Sequence, residues 1–186
     1  APGSGDQPVP GSGLAVRAAL GVPPDAPMVL YTGTFEHYQG LDLLFASMAI
    51  ALKSVPDAKL VLAGGQPAQI EAARAEAARA GLGDAVIFAG QRPSEEIPAY
   101  LDAATALVSP RSTGINTPLK IYQYLRSGRP IVATRLLTHT QVLDDDTAIL
   151  TEAEPAAYAR GIVDALTDRE RAARVARQAL ALAETK

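Results

Sequence analysis

The chain has 186 residues and no cysteine, and its net charge at pH 7 is −3. Its hydrophobic content of 48% and charged content of 20% are typical of a globular domain with a full core. The lack of cysteine excludes disulfides and thiolate chemistry, and the negative net charge argues against a general nucleic-acid binder. The sequence contains neither an apolar run of membrane-span length nor a signal-peptide pattern, so a cytoplasmic location is expected.

The first residues differ in composition from the rest of the chain. Residues 1–13 contain nine Gly, Pro or Ser, which is typical of a flexible linker or terminus. We therefore predict one domain over residues 14–186. Its first element is a short helix at 14–20, which Gly21 and the prolines that follow would stop.

Short apolar runs alternate with amphipathic segments along the remaining sequence. The runs predict strands at 28–32, 59–63, 85–89, 106–108, 131–133 and 148–150. The segments predict helices at 41–55, 68–80, 155–167 and 169–184, and two more that begin near residues 94 and 118. This alternation predicts an α/β fold, a Rossmann-like doubly wound parallel sheet of about six strands with helices on both faces.

In a sheet of this type, ligands bind at the carboxyl ends of the strands. The loops at that edge gather the glycines and a set of polar side chains, namely Gln39, Gln66, Gln91, Arg92, Arg111, Asn116, Lys120 and His139. His139 could contact a phosphate or a sugar hydroxyl, or it could bond to the backbone. Only His37 accompanies it, far away in sequence, so a histidine-rich metal site is not expected.

The helix predicted near residue 118 carries a cation at its start. Thr117 suits the N-cap and Pro118 the first helical position, which makes Lys120 the third helical residue. A cation there opposes the helix dipole, which indicates either a bound anion or a solvated lysine at small cost. Gln123 and Ser127 share its face, and Gln123 suits paired hydroxyls such as a ribose diol, although an exposed helical glutamine would look the same.

Several common nucleotide-binding and hydrolase motifs are absent from the sequence. No GxGxxG follows the first strand, which argues against an NAD-binding domain, and neither GxxxxGK[ST] nor GxSxG occurs. The acidic run at 144–146 predicts a solvated turn rather than a cation site, because consecutive side chains point in different directions.

Three groups of residues carry a resemblance to a known family. They are residues 31–35 with 39–44, residues 62–65 with 86–90, and, as the most specific, residues 118–125 with 127–133. The first is similar to a strand, loop and "KGxDxLxxA" helix, the second to "lxGxG…VxFxG", and the third to "PxKxxEYxxxGxPVVA". Over most of residues 28–168, the chain thereby resembles the C-terminal, nucleotide-sugar-binding domain of retaining GT-B glycosyltransferases of group 1, family 4.

The resemblance implies a nucleotide diphosphate-sugar donor, a UDP- or GDP-sugar, and a reaction without a metal or another cofactor. The residues that it places at the diphosphate are Gly33, Thr34, Gln39, Arg111, Asn116, Thr117 and Lys120. Those that it places at the nucleoside are Gly64, Gly65, Gly90, Gln91, Arg92 and Gln123, and His139 would contact the sugar. It assigns no catalytic residue.

The chain departs from the family pattern at usually charged positions. The places of an Arg and a Lys for the diphosphate, and of two glutamates, are here taken by Thr34, Gln39, Ile115 and Gln123. Two cations, Arg111 and Lys120, would take over the phosphate role. The resemblance therefore implies either a divergent site with redistributed charges or weak donor binding.

The active site of a GT-B enzyme lies between two Rossmann-like domains, and this chain has room for one of them. We therefore expect that the N-terminal acceptor domain is missing and that the chain alone binds the donor without transferring sugar. The full-length enzyme would act on a saccharide or lipid acceptor, a setting that allows peripheral membrane association. A nucleotide-sugar epimerase of the same fold and a non-catalytic α/β binding module are the alternatives.

Overall fold

A parallel sheet forms the centre of the fold in the computed structural model, which describes residues 11–114 and 116–185. Its strands are β1 Met28–Thr32, β2 Lys59–Ala63, β3 Val86–Gly90, β4 Ala106–Ser109, β5 Ile131–Thr134 and β6 Ile149–Thr151. Their order is β3-β2-β1-β4-β5-β6, and every pairing is parallel. This is the doubly wound Rossmann order, so the predicted fold class is confirmed.

Helices follow the strands on both faces of the sheet. They are α1 Ser12–Leu20, α2 Leu41–Ala51, α3 Pro67–Arg79, α4 Ile97–Ala103, α5 Lys120–Leu125, α6 Leu137–Thr140, α7 Pro155–Thr167 and α8 Arg169–Glu184. Short 3₁₀ turns lie at His37–Gln39, Gly83–Ala85 and Ser94–Glu96. Among the described residues, no helix is both long enough and apolar enough to cross a membrane.

The alternation of side chains along β1 shows how the sheet divides the core. All five of its residues are buried. Val29 and Tyr31 belong to the apolar cluster that includes side chains of α2 and α7, whereas Met28 and Leu30 belong to the cluster that includes side chains of α4 and α5. Successive side chains of a strand point to opposite faces, so a run of apolar residues supplies both clusters.

Several element boundaries differ from the prediction, and two of them bear on how the core is packed. The strand predicted at 85–89 is found at Val86–Gly90, and it is half-buried because it forms an edge of the sheet. The helix predicted to extend to residue 55 ends at Ala51, and hydrogen-bonded turns continue to Val55. An apolar residue after a helix end therefore still contributes to the core, since Val55 is buried.

The first helix begins inside the segment predicted to be a linker. α1 starts at Ser12, two residues before the predicted start, and the Gly13 N–H donates a 2.8 Å hydrogen bond to the Asp102 carboxylate. A Cβ at Gly13 of α1 would lie 2.4 Å from the backbone nitrogen of Ala103 in α4, so the backbones of these two helices are in close contact. The rest of the predicted linker, residues 1–10, lies outside the described residues, as does Ile115.

Candidate functional site

A cleft of about 670 Å³ opens at the carboxyl edge of the sheet. It lies above β1 and β2, between the loops that follow β1, β2 and β3 and the start of α5. Because β1 pairs with both β2 and β4, the loops after β1 and β4 lead to opposite sides of the sheet, and such a switch point is where doubly wound domains bind ligands.

The cleft contains eight of the residues predicted to bind a donor. They are Gly33, Thr34, Gly64, Gly65, Gln91, Arg92, Lys120 and Gln123. The others lining it, which the sequence did not single out, are Thr32, Ala63, Ile97, Leu119 and Arg126. Gly90 precedes the lining residues Gln91 and Arg92 but does not line the cleft itself.

Tyr124 fixes α5 to the sheet beneath the cleft. Its hydroxyl accepts a 3.2 Å hydrogen bond from the Thr32 N–H and donates a 3.0 Å hydrogen bond to the Val108 carbonyl. The side chain is fully buried, and burial raises the pKa of its hydroxyl to about 12. The group therefore stays protonated at neutral pH and joins the ends of β1 and β4 to the helix that carries Lys120.

The start of α5 lies two residues later than predicted. Lys120 is its first residue, because Pro118 and Leu119 form a tighter turn whose carbonyls accept from the N–H groups of Ile121 and Tyr122 at 3.1 and 3.2 Å. The prediction of Thr117 as the N-cap is wrong. Its hydroxyl donates a 3.0 Å hydrogen bond to the side-chain oxygen of Gln141 instead.

Lys120 is buried at the floor of the cleft rather than solvated, which rules out one of the two interpretations of the sequence. Only 8% of it is exposed, and its Nζ has no hydrogen-bond partner. The Nζ lies 3.9 Å from the centroid of the Tyr31 ring. Burial, and then the charge of Arg111, lowers the pKa of Lys120 to about 7.

The turn after β1 is shaped around the Lys120 ammonium. A Cβ at Gly33, whose φ is 136°, would lie 2.8 Å from the Lys120 Nζ, so the glycine leaves room for the cation. The Tyr31 hydroxyl donates a 2.5 Å hydrogen bond to the Thr34 carbonyl. Gln39 lies behind this turn, where its Nε2 donates to the Thr34 hydroxyl at 3.1 Å and its Oε1 is buried without a partner.

A second hollow of about 520 Å³ adjoins the cleft at Leu119 and contains three more of the predicted diphosphate residues. Arg111, Asn116 and Thr117 line it, and the Arg111 guanidinium lies 4.9 Å from the centroid of the Tyr38 ring. Arg111 donates a 2.9 Å hydrogen bond to the Asn116 carbonyl, and its Nε is buried without a partner. Six of the seven predicted diphosphate residues are thus divided between two adjoining hollows, and Gln39 lines neither of them.

The loops after β1 and β4 are packed directly against each other. A Cβ at Gly40 would lie 1.9 Å from the Pro110 carbonyl oxygen, and the φ of Gly40 is 79°. Only glycine fits this contact without strain. The Ser112 N–H also donates a 3.1 Å hydrogen bond to the Tyr38 carbonyl.

The structure places His139 in the interior instead of at the cleft. It is completely buried on α6, a short helix where a loop was predicted. Its Nδ1 lies 2.8 Å from the Thr134 carbonyl and its Nε2 lies 2.7 Å from the Ser109 hydroxyl. Since a carbonyl only accepts, Nδ1 donates, and in the neutral ring Nε2 accepts from Ser109. This placement corresponds to the backbone-bonding alternative and gives no support to a sugar contact.

Ser127, predicted to share the ligand-facing side of its helix, is also not in the cleft. Its hydroxyl donates a 2.7 Å hydrogen bond to the Tyr124 carbonyl and so satisfies the helix end. Arg126, one residue earlier, lines the cleft with Gln123. The spacing of three residues from Gln123 to Arg126 is the signal that could have identified it.

The described residues that line the cleft include cations but neither Asp nor Glu. The cations are Arg92, Lys120 and Arg126. Arg92 has an acidic neighbour outside the lining, Glu96, at 3.5 Å. Throughout residues 11–114 and 116–185, no group of three or more His, Asp or Glu side chains is arranged to hold a metal ion. The cleft is therefore suited to an anionic ligand.

Fold and site together define the class of the protein. It is a doubly wound α/β domain with a glycine-lined, cationic cleft at the switch point of its sheet. The chain belongs to the glycosyl transferases group 1 family, whose model matches residues 26–168. The resemblance seen in the sequence motifs is confirmed.

Curated relatives and solved structures agree with this assignment. The chain is 33% identical over 183 residues to the D-inositol 3-phosphate glycosyltransferase of Acidothermus cellulolyticus, covering 92% of this chain and 40% of that protein. Sucrose-phosphate synthase from Thermosynechococcus elongatus matches with a TM-score of 0.81 and 27% identity, over 96% of this chain and 45% of that one.

A further solved structure shares the fold at lower identity. Alr3699/HepE of Anabaena, in complex with UDP-glucose, matches with a TM-score of 0.86 and 20% identity, over 97% of this chain and 50% of that chain. The present chain spans about 40% of the length of the curated relative from Acidothermus.

Proposed function

We propose that this chain binds a UDP- or GDP-sugar through its cleft and that the whole protein transfers the glycosyl group, with retention and without a metal, to a saccharide or lipid acceptor. The observation that carries the proposal is the Lys120 ammonium, which is buried without a hydrogen-bond partner beside a glycine turn. A buried cation without a partner is costly unless a ligand supplies the counter-charge.

The names of similar proteins support a nucleotide-sugar donor. Alr3699/HepE is described in complexes with UDP, with UDP and glucose, and with UDP-glucose. The Acidothermus relative is named for transfer to inositol 3-phosphate, which makes a polyol phosphate the first acceptor to try. The proposal includes the cytoplasmic location that is expected from the sequence.

The geometry favours one orientation of the donor in the cleft. The diphosphate would lie over the Gly33 turn and Lys120, which are in contact, and the nucleoside would extend along Gly64 and Gly65 toward Gln91. Lys120 would then stabilise the negative charge that develops on the diphosphate leaving group as the glycosidic bond breaks. Arg111, in the adjoining hollow, lowers the pKa of Lys120 by its charge and so adds to the positive potential there.

Calorimetric titration of the 186-residue chain with UDP and GDP tests donor binding. We expect saturable binding of at least one of them, and we expect Lys120→Met to weaken it at least tenfold, as removal of a charge-assisted contact does. The control is Lys53→Met, because Lys53 is exposed and does not line the cleft. Absence of saturable heat with both nucleotides would remove the proposal.

Transfer is tested on the longer protein. Incubation with UDP-glucose or a GDP-sugar and an inositol phosphate, saccharide or lipid acceptor should give a glycoside whose anomeric configuration matches that of the donor, with or without a chelator. The 186-residue chain alone should give no product. Interconversion of the donor sugar without transfer would indicate an epimerase, and donor binding without turnover would indicate a binding module.

A further inference from the structure

The aromatic ring of Tyr31 lies directly under the Lys120 ammonium. The distance from the Lys120 Nζ to the ring centroid is 3.9 Å, well within the range of a cation–π interaction. Tyr31 is a strand residue that is completely buried, and it does not line the cleft. It therefore contacts the cation from below, on the side away from a ligand.

The ring is the group of negative potential that faces this ammonium. The Nζ has no hydrogen-bond partner, and no Asp or Glu is among the described residues that line the cleft. Arg111, on the loop after β4, acts on Lys120 with a charge of the same sign. The face of an aromatic ring carries partial negative charge and attracts a cation, most strongly where water is excluded.

Other contacts hold the ring itself in place. Its hydroxyl donates to the Thr34 carbonyl at 2.5 Å, and the Phe35 ring centroid lies 6.2 Å from that of Tyr31. Burial raises the pKa of the Tyr31 hydroxyl above its ordinary value, so the hydroxyl remains a donor at neutral pH. A side chain fixed at both its ring and its hydroxyl is a rigid platform for the flexible lysine.

We propose that Tyr31 is a positioning residue whose ring face holds the Lys120 ammonium at the Gly33 turn, in place to meet the diphosphate of the donor. The inference rests on the proposed function for the ligand, but the hold on Lys120 is a property of the protein alone. A lysine that is already confined loses less side-chain entropy when the ligand binds.

Nuclear magnetic resonance detects this hold directly. Protons above a ring face resonate upfield, and the chain has only four lysines, so ¹³Cε labelling resolves them. We expect one upfield Hε signal, assigned by its loss in Lys120→Met. Tyr31→Phe should retain the shift, because the ring remains, and Tyr31→Leu should abolish it. A Lys120 signal at the position of an exposed lysine in the wild type would overturn the proposal.

A double-mutant cycle measures the effect on binding. Tyr31→Leu should weaken UDP or GDP binding about tenfold in the wild type, the size expected of a desolvated cation–π contact, and by less than twofold in Lys120→Met. Equal losses in the two backgrounds would show that Tyr31 acts on the fold and not through Lys120. Tyr158→Leu is the matched control, because Tyr158 is equally buried and its hydroxyl bonds to the Val132 carbonyl, away from the cleft.

A further variant changes the electrostatics of the ring at position 31 while an aromatic ring stays in place, so that a change in nucleotide binding can be distinguished from loss of folding. Pentafluorophenylalanine at position 31 keeps a planar aromatic ring, somewhat larger than that of phenylalanine, and reverses the sign of the ring quadrupole. It should weaken nucleotide binding relative to Tyr31→Phe, and unchanged affinity would contradict the proposal. If the wild type binds neither nucleotide, the proposed function fails and the role toward a diphosphate fails with it, whereas the Hε shift still decides whether Tyr31 holds Lys120.

Discussion

At the scale of single residues, Lys120 lowers the stability of the ligand-free chain and favours binding of an anionic ligand. Its side chain is 92% buried, as its exposure of 8% implies, yet its Nζ has no hydrogen-bond partner. Sites that are arranged for a ligand commonly lower the stability of the protein without it. Replacing the lysine should therefore improve the fold and damage the site.

We predict that Lys120→Met raises the free energy of unfolding by about 1–3 kcal/mol at pH 6. The pKa of Lys120 falls from 10.5 to about 7 in the folded chain, so between these values the unfolded chain binds more protons and wild-type stability rises with pH. The gain from the substitution should thus be full below pH 7 and shrink above it. Urea denaturation at pH 6 and pH 9 measures this.

Lys53→Met is the reference for that measurement. Lys53 is an exposed residue beyond the end of α2, so its removal should change the stability by less than about 0.5 kcal/mol at either pH. A loss of stability in Lys120→Met at pH 6 would show that the ammonium is well solvated or paired in the folded chain.

The same titration should appear in ligand binding. The diphosphate of UDP-glucose keeps its charge over this range, so its affinity should be constant below pH 7 and fall by up to tenfold per unit above it, as the lysine loses its proton. Tyr31 touches the ammonium and stays neutral, and His139, which feels its charge, is neutral above a pKa of about 4, so neither titrates between pH 6 and 9. Calorimetry from pH 6 to 9 tests this, and Lys120→Met should show a flat profile.

The sequence predicted part of this residue-level picture. A lysine in the first turn of a helix without a nearby acid indicates either a bound anion or a solvated lysine, and the structure buries that lysine at the cleft floor. Tyr31 could not be recognised, because the apolar run of β1 predicts burial and does not say what a side chain touches across the sheet edge. Thr117 was assigned as a cap because Pro118 suits a first helical turn, yet the chain there forms a tighter turn.

At the scale of elements, the His139 side chain links α6 to the ends of β4 and β5. From α6, its ring nitrogens bond to Ser109 at the end of β4 and Thr134 at the end of β5. The Thr134 hydroxyl also donates a 2.7 Å hydrogen bond to the Arg111 carbonyl. The second hollow thus depends on a neutral histidine in the interior.

We predict that the chain loses about 2 kcal/mol of stability as the pH falls from 6.5 to 4 because of this histidine. Burial lowers the pKa of His139 from 6.5 to about 4, so in this window the unfolded chain binds the extra proton. His139→Leu should lower stability overall and flatten this slope. His37→Leu, a change at an exposed residue, should leave the slope as it is. An unchanged slope in His139→Leu would contradict the assignment.

Element types and their order could be predicted from the sequence because apolar runs and amphipathic periods are local signals. The ends of elements were less predictable, since tertiary contacts decide them. Asp102 accepts from the backbone of Gly13 and extends α1, and β3 lies half-exposed because it is an edge strand. The short helix α6 also escaped prediction, because four residues carry too little periodicity.

At the scale of the whole molecule, one sheet separates two apolar clusters. The central strands contribute side chains to both apolar clusters. In β2, for example, Leu60 belongs to one cluster and Val61 to the other. Neither cluster can lose its order while the other keeps the sheet intact. We therefore expect the described part of the chain to unfold as one unit.

Differential scanning calorimetry should show a single transition with a calorimetric enthalpy of about 120 kcal/mol near 60 °C, equal to the van't Hoff enthalpy. Saturating UDP or GDP, whichever binds, should shift the whole transition upward without splitting it. Two resolved transitions would show that the halves of the sheet on either side of β1 are separate folding units.

The contact between Gly40 and the Pro110 carbonyl has a consequence for how such domains diversify. Because the loops after β1 and β4 touch through backbone atoms, neither can change its path without the other. Chimeras between relatives should keep their activity only when both loops come from the same parent. A change in the path of one loop should therefore require a matching change in the other, seventy residues away along the chain, from Gly40 to Pro110.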